Sequence, residues 1–362
     1  MNSALASTQM AAILNVAFCS INSTYPSEHM RRFACLFAAI LASQVGCSHD
    51  SPIPANIAPD QAKVAKELSK LDARIDTLPN GQIHAVEFFY DDDVPNPKVT
   101  DKDVACLTDL TSLDRLSLEE TSVTDEGLKI LPRFTKLQVL CLPSSITDEG
   151  IAYVADLQSL KHLSVSGPVS NDGLASLQSL TNLESLYLDH LDRVTGEGLK
   201  HLRNLIHLSH LRLDGTHVGD EGIEALNRLG SLRKLEIYSA PLSDGGLEKI
   251  RPTLERLEVL ELDSTGITDK GLGQLQNLPG LKILSLMHDK ITDEGITNVV
   301  GMTSLERLVV NNTDIGDSSL KIFAELPALK ELFIYDTRVS EDGAKQLQSL
   351  RPKLRIMHQI KR

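Results

Sequence analysis

Ten side chains that could bind a polar or charged group recur at matched positions in four successive stretches of the sequence. Within a stretch they alternate along the chain, which is the spacing of side chains on one face of a β-strand. Tyrosine and arginine among acidic groups form the composition of a protein-binding hot spot. We therefore predict a partner-binding surface formed by Tyr187, Asp189, His210, Arg212, Asp214, Lys234, Glu236, Tyr238, Glu261 and Asp263.

Two other uses of these side chains remain open. The charges could simply pair with one another across neighbouring strands and solvate the sheet. Alternatively, Tyr187 and Tyr238 with the carboxylates of Asp189, Asp214 and Asp263 could bind a glycan or a cation. A second, more apolar cluster follows towards the C-terminus and consists of Met287, Val309, Phe333 and Tyr335.

No motif of known catalytic chemistry accompanies these residues. The sequence has no G-x-S-x-G, H-E-x-x-H, phosphate-binding loop or C-x-x-C. His207 and His210 flank Leu208 in a strand context, where residues three apart point to opposite faces. The sequence thus predicts no catalytic residue, no metal and no cofactor, and the protein is not expected to be an enzyme.

The elements that position these side chains follow from a repeated leucine pattern. Leu113, Leu116 and Leu118 form an L-x-x-L-x-L array, followed by Val123 and the letters TDEGL. The first array position returns, mostly every 23 to 25 residues, at Ile83, Leu113, Leu137, Leu160, Leu183, Leu208, Leu232, Leu257, Leu281, Leu305, Leu329 and Leu354. A fixed period in this range with leucines at positions 1, 4 and 6 is the signature of a leucine-rich repeat solenoid.

Each repeat reads as one strand and one helix. The last two leucines of the array point to one face of a strand, and strands of successive repeats stack because one repeat cannot bury its leucines alone. Thr124, Thr147, Thr268 and Thr292, each followed by an aspartate, are expected to cap helices. The predicted fold class is an α/β leucine-rich repeat solenoid (horseshoe), with a parallel sheet on its concave face and helices on its convex face.

Residues 1–46 are predicted to be a leader with a secretory signal. Met30-Arg31-Arg32 precedes an uncharged, mostly apolar run of 13 residues that ends before Gly46-Cys47. An apolar run too short to span a bilayer, after basic residues and before a small residue, is typical of a signal peptide. We expect translation to start at Met30 and Cys47 to be lipidated. Ordinary secretion with cleavage nearby, or an uncleaved anchor, are the alternatives.

The remaining boundaries follow from composition and pattern. Residues 47–59 are polar, contain prolines and are predicted to be a tether, and residues 60–82 to be an N-terminal cap helix and turn. The cap helix is expected over 62–78, with Val64, Leu68, Leu71 and Ile75 on one stripe. Residues 83–362 are predicted to form about eleven repeats, closed by a partial strand with Leu354, Met357 and Ile360 turned inward.

The charge and cysteine content limit the partners. A formal net charge of −13 argues against nucleic acid, which requires clustered basic residues. We expect no structural disulfide between Cys106 and Cys141, and a monomer attached to a membrane only through a lipid on Cys47.

The letters VTDEGL, ITDKGL and ITDEGI resemble the leucine-rich repeats of bacterial envelope proteins of the planctomycete type. They are also similar to the cysteine-containing repeats of eukaryotic F-box proteins. The first resemblance implies an exported, lipid-anchored lipoprotein of the cell envelope that acts as a non-enzymatic scaffold for a protein partner. The second implies a cytoplasmic adaptor that recognises substrates of a ubiquitin ligase, which stays as the alternative.

Overall fold

The computed structural model describes residues 53–88 and 99–358. The predicted leader, the lipidation of Cys47, residues 47–52 of the tether and the position of Ile360 lie outside these residues. The strands are β1 (Ala73–Thr77), β2 (Ile83–Phe88), β3 (Arg115–Ser117), β4 (Val139–Cys141), β5 (His162–Ser166), β6 (Ser185–Asp189), β7 (His210–Asp214), β8 (Lys234–Tyr238), β9 (Val259–Glu261), β10 (Ile283–Ser285), β11 (Arg307–Val309), β12 (Glu331–Phe333) and β13 (Arg355–Met357).

A short helical segment follows the strand of each repeat. The α-helices are α1 (Ala62–Ser69), α2 (Asp101–Val104), α3 (Asp148–Ala152), α4 (Asn171–Ser176), α5 (Gly196–Leu199), α6 (Asp244–Lys249), α7 (Arg251–Leu254), α8 (Asp269–Gln274), α9 (Asp293–Ile296), α10 (Leu320–Glu325) and α11 (Glu341–Leu350). The 3₁₀ segments are Ala105–Asp109, Gly127–Arg133, Leu177–Ser179, Lys200–Asn204, Ile223–Arg228, Thr297–Val299 and Asp317–Ser319. Among the described residues, no helix has the length and apolar character needed to cross a membrane.

The strands form one sheet in the order of the sequence, parallel from β2 to β13. The middle leucine of each array pairs with the same leucine of the next repeat, as Leu260 does with Leu284 and Leu284 with Leu308. These three side chains are fully buried, and the inward positions of the other strands continue the same core. The predicted α/β leucine-rich repeat solenoid is therefore confirmed.

The Thr-Asp pairs at the helix starts form hydrogen bonds between neighbouring repeats. Thr268 caps α8 by accepting a hydrogen bond from the N–H of Lys270. The carboxylate of Asp244, one repeat earlier, accepts from the N–H and the hydroxyl of Thr268 at 2.9 and 2.7 Å. Asp269 does the same for Thr292. These carboxylates thus act as structural acceptors between repeats.

One expected helix start differs. Thr124 does not cap an α-helix, because residues 127–133 form a 3₁₀ segment that contains Pro132. Proline has no N–H to continue α-helical hydrogen bonding. The carboxylate of Asp101 nevertheless accepts from the N–H and hydroxyl of Thr124, so the link between repeats is kept.

The prediction of a single cap helix over 62–78 was wrong in its second half. Helix α1 ends at Ser69, and β1 then runs antiparallel to β2, with Ile75 opposite Val86. Asp72, in the turn between α1 and β1, has a φ of 55°. The residues A-R-I-D-T alternate apolar and polar, which suits a half-buried strand, and Ala73 and Ile75 are buried.

The closing strand also differs from its prediction. In β13, Ile356 pairs with Leu332 and so occupies the inward column, whereas Met357 pairs with Phe333. Residues that pair between β12 and β13 are 24 positions apart in the sequence. The predicted array that begins at Leu354 lies 25 residues after the one at Leu329 and is therefore one position late. Because side chains alternate along a strand, this slip moves Met357 to the opposite side of the sheet.

Candidate partner-binding face of the sheet

The side of the sheet opposite the leucine core carries the predicted site, and we call it the sheet face. Pairing of β6 with β7, β7 with β8 and β8 with β9 puts Tyr187, Arg212, Glu236 and Glu261 in one row. The next row contains Asp189, Asp214 and Tyr238. Adjacent strands are ~4.8 Å apart, so these side chains are within reach of one another. We call the ten predicted residues the central network.

A line of hydrogen bonds crosses all four strands of the central network. The hydroxyl of Tyr187 lies 3.1 Å from Nδ1 of His210, and Nε2 of His210 lies 2.6 Å from Oε2 of Glu236. Lys234 Nζ is 2.9 Å from Oε1 of the same carboxylate. The hydroxyl of Tyr238 donates to Glu261, its closer acceptor, and its oxygen lies 3.2 Å from Oε1 of Glu236. Four strands are thus connected through side chains as well as through the backbone.

Arg212 holds the second row together. Its Nε lies 3.0 Å from Oδ1 of Asp189, and its Nη2 lies 3.5 Å from Oδ2 of Asp214. The guanidinium carbon lies 5.4 Å from the ring centroid of Tyr238, within the range of a cation–π interaction. One cation therefore bridges two carboxylates and an aromatic ring on three strands.

Half of the central network is buried, which limits the predicted partner-binding surface to the other five residues. Asp214 is 1% exposed and Arg212 is 5% exposed, and the other buried members are Tyr187, Asp189 and Glu236. The members that keep partial exposure are His210, Lys234, Tyr238, Glu261 and Asp263. Side chains of neighbouring strands cover one another, so the polar groups of this cluster mainly pair with each other across the strands.

Burial and charge together set the protonation of the network. Burial lowers the pKa of His210, which favours the neutral imidazole. Burial alone would raise the pKa of Glu236, but Lys234 and His210 outweigh it and lower that pKa. An ionised Glu236 only accepts hydrogen bonds, so Nε2 of His210 donates to it and Nδ1 accepts from Tyr187.

The remaining carboxylates of the network are less well compensated. Burial raises the pKa of Asp189 to about 6, although Arg212 opposes the shift. Burial, and then the charge of Glu236, raises the pKa of Glu261. Five carboxyl groups in the network face two permanent cations, Arg212 and Lys234, so the sheet face carries surplus acidity here.

Comparison with known proteins supports the fold. A leucine-rich repeat family matches residues 204–226. An internalin of Listeria monocytogenes is similar in structure, with a TM-score of 0.55 and 22% identity over 72% of this chain and 71% of that one. The chain therefore has the leucine-rich repeat fold.

Two further comparisons complete this result. Internalin C2 of Listeria monocytogenes aligns with a TM-score of 0.46 and 24% identity, over 67% of this leucine-rich repeat protein and 100% of the internalin. A search of curated proteins by sequence gives no match. The similarity to the first internalin, at a TM-score of 0.55, is a similarity of fold alone.

The leucine-rich repeat sheet also carries two charged clusters that sequence reasoning missed. The buried carboxylate of Glu87 lies between Arg74 and Arg115, at 3.9 and 3.6 Å. Glu331 similarly bridges Arg307 and Arg355, at 2.6 and 3.0 Å. The first was hidden because Arg74 belongs to the unpredicted β1, and the second because the register of β13 was one residue off.

The predicted apolar cluster is less accessible than its composition suggested. Phe333 is 1% exposed and Val309 is 6% exposed, whereas Met287 and Tyr335 remain partly exposed. Met357, in register with Phe333, joins them on the sheet face. The C-terminal end of the sheet face is therefore a packed apolar layer, in which Met287 and Tyr335 are the partly exposed residues of the predicted cluster.

The structure also bears on ligands. Within residues 53–88 and 99–358, no group of three or more histidine, cysteine, aspartate or glutamate side chains could hold a metal ion. Cys106 is half-buried, Cys141 is buried, and no disulfide joins the two. A groove of about 490 Å³ lies at the ends of β7, β8 and β9, lined by Gly215, Thr216, His217, Ser239, Ala240, Pro241, Ser264, Thr265 and Gly266.

Proposed function

We propose that this leucine-rich repeat protein is a non-enzymatic scaffold that presents its sheet face to a protein partner. The observation that carries the proposal is the central network, in which side chains from four adjacent strands are fixed by mutual hydrogen bonds and ion pairs. Side chains held in place before binding lose little conformational entropy when a partner docks. The rigid network therefore suits recognition.

The roles of the ten residues divide according to their burial. Tyr187, Asp189, Arg212, Asp214 and Glu236 are buried and would support the surface from below. The partner would contact the partly exposed members, His210, Lys234, Tyr238, Glu261 and Asp263. Val259 and Ile283, which pair across β9 and β10 and are half-buried, add apolar area next to them. A polar network beside apolar side chains is the usual anatomy of a protein interface.

Site-specific photo-crosslinking tests this proposal. A photoreactive phenylalanine analogue at Val259 or Ile283, in cells of the native organism, is expected to capture the same protein from both positions. The matched control is the same analogue at Glu248, which is exposed on α6, on the helical side of the repeats. Capture of a protein from Glu248 but from neither sheet position would contradict the assignment of the binding face.

We further propose that the protein is exported and anchored in the bacterial cell envelope through a lipid on Cys47. The support is the basic residues, apolar run and Gly46-Cys47 boundary of the sequence. Stable anchoring requires more than one acyl chain, so a diacylated or triacylated product is expected.

A Cys47→Ser variant tests the anchor. Intact mass of the wild-type protein should show an acylated chain that begins at Cys47, and the protein should partition into membranes. The variant should lack the acyl mass and leave the membrane fraction, because serine has no thiol to be lipidated. An unmodified wild-type chain that starts at Met1 and stays in the cytosol would reject the anchor and favour the intracellular adaptor.

A further inference from the structure

Most consecutive repeats are tied together at their helix starts by a side-chain link. An aspartate or asparagine just after the cap position of one repeat accepts a hydrogen bond from the N–H of the cap residue of the next repeat. We name each repeat after its strand, so that the β6 repeat is residues 183–207 and the β7 repeat is residues 208–231. The linked pairs are Asp101–Thr124, Asp125–Thr147, Asp148–Ser170, Asn171–Thr195, Asp220–Ser243, Asp244–Thr268, Asp269–Thr292, Asp293–Gly316 and Asp317–Ser340.

This link is missing between the β6 repeat and the β7 repeat. The acceptor position is taken by Gly196 and the cap position by Gly219, so neither residue has a side chain to contribute. A Cβ on Gly196 would overlap the carbonyl oxygen of Glu221, because the two backbones pack directly against each other. In the described part of the chain, no hydrogen bond joins residues 195–198 to residues 219–222. The helical sides of these two repeats are therefore in contact without the link that the other pairs have.

The helical half of the β7 repeat also begins differently from its neighbours. Gly219 has no hydroxyl to accept a hydrogen bond from a helix N–H, whereas Thr268 at the same position caps α8. Gly222 has a φ of 82°, outside the right-handed helical region, and Ile223–Arg228 form a 3₁₀ segment in place of an α-helix. The β7 repeat thus lacks both a cap and a link on its helical side.

A second connection is missing between the β7 repeat and the β8 repeat. In the turns after the strands, a backbone N–H donates to a carbonyl of the preceding repeat, as Gly266 does to Leu242 at 2.8 Å. The equivalent donor after β8 is Pro241, which has no N–H. The carbonyl of Val218 accordingly accepts no hydrogen bond from any described residue. The groove of about 490 Å³ lies at this place and is lined by Pro241, so the packing is also less complete here.

The sheet side of the same repeats is held firmly. Strands β6 and β7 pair over five residues, as do β7 and β8, whereas β9 and β10 pair over three. Between β6 and β7, the hydroxyl of Tyr187 lies 3.1 Å from Nδ1 of His210, and Nε of Arg212 lies 3.0 Å from Oδ1 of Asp189. Repeats that are fixed along one side and loosely held along the other move by rotation about the fixed side.

We propose that the contact between the β6 and β7 repeats is a hinge, which opens on its helical side about the paired strands and so changes the curvature of the sheet face. The curvature of a solenoid follows from the rotation between successive repeats, so a change at one contact reorients all the repeats beyond it. Because the pivot strands carry the central network, a partner that binds there selects one curvature. That last step rests on the proposed function, whereas the hinge itself does not.

Hydrogen exchange in the full-length protein tests the opening. The amide of Ala225, which donates to Gly222 in the 3₁₀ segment of the β7 repeat, should exchange at least about tenfold faster than the amide of Lys129, after correction for intrinsic rates. Lys129 is the matched control, because it lies in a 3₁₀ segment whose repeat keeps the link to Asp101, and it is the more exposed residue. The amide of Leu211, in the pivot strand β7, should stay protected.

Restoring the missing link should close the hinge. The double variant Gly196→Asp, Gly219→Thr supplies the residue types of the other links and should slow exchange at Ala225 by at least about tenfold. It should also narrow the distribution of distances between spin labels at Lys129 and Lys270, two exposed positions on either side of the hinge. The labels are attached through p-acetylphenylalanine and measured by pulsed electron paramagnetic resonance.

Gly219→Thr alone is the control, since it adds a cap without the acceptor of the link, and it should leave the distance distribution as broad as in the wild type. Equal exchange at Ala225 and Lys129 in the wild type would overturn the hinge. Equal widths of the distribution in the wild type and the double variant would overturn it as well. If the double variant did not fold, the comparison of the two amides in the wild type would decide alone.

Discussion

Replacement of Arg212 by alanine is expected to lower the free energy of unfolding by about 3–5 kcal/mol at pH 8. The guanidinium is buried and lies against Asp189 and Asp214, which are themselves 6% and 1% exposed. Its removal leaves two carboxylates without their counterion in a place where water does not reach them. Urea unfolding followed by circular dichroism measures the loss.

The same variant should show a smaller loss at pH 5. The pKa of Asp189 is raised to about 6 even beside Arg212, so the carboxyl is largely protonated at pH 5 and needs no counterion. The matched control is Arg338→Ala, which breaks an ion pair with Asp314 at 2.7 Å between side chains that are 71% and 58% exposed. Exposed pairs of this kind contribute less than about 1 kcal/mol. If both variants lost the same stability, the structural role of Arg212 would be refuted.

The Gly271→Ala variant is expected to lose about 2–3 kcal/mol, because a methyl group forced into a filled site costs typically this amount. A Cβ at Gly271 would lie 2.2 Å from Oδ1 of Asp244. Asp244 cannot turn away freely, since it accepts hydrogen bonds from the N–H and the hydroxyl of Thr268. The substitution therefore breaks the link between two repeats at the start of α8.

Gly273, two residues further along α8, provides the control. A Cβ there meets nothing within 4 Å. Gly273→Ala should stabilise the helix by about 0.5–1 kcal/mol, because alanine loses less backbone entropy than glycine on folding. Opposite signs for the two substitutions in one helix are the expected result of urea unfolding. A loss of stability in both would point to a general cost of alanine in this helix and contradict the proposed contact with Asp244.

The surface that a partner would meet was only partly predictable. The alternation of residues in β6 to β9 correctly placed nine of the ten members of the central network on one side of the sheet, and Asp263 follows just after β9. The alternation did not indicate that Arg212 and Asp214 are buried. Alternation indicates the face to which a side chain points, whereas its exposure depends on the size and direction of side chains from strands more than twenty residues away.

Errors at the two ends of the solenoid have a common origin. The strand β1 and the register of β13 were both missed because terminal repeats depart from the consensus. The internal strands were found because each repeats the pattern of its neighbours. Where the period fails, local pattern alone decides between helix and strand, and a run such as 70–77 fits both until the pairing with β2 is known.

The sequence by itself determined the fold, the strand face of each leucine and most helix starts, because the repeat pattern and the capping residues act within about one repeat length. Tertiary structure alone decided which polar side chains are buried, which carboxyl groups have a raised pKa and what the spacing of Asp244, Thr268 and Gly271 is for. Those properties arise between repeats, where the distance of ~4.8 Å from strand to strand brings together groups that the chain itself keeps far apart.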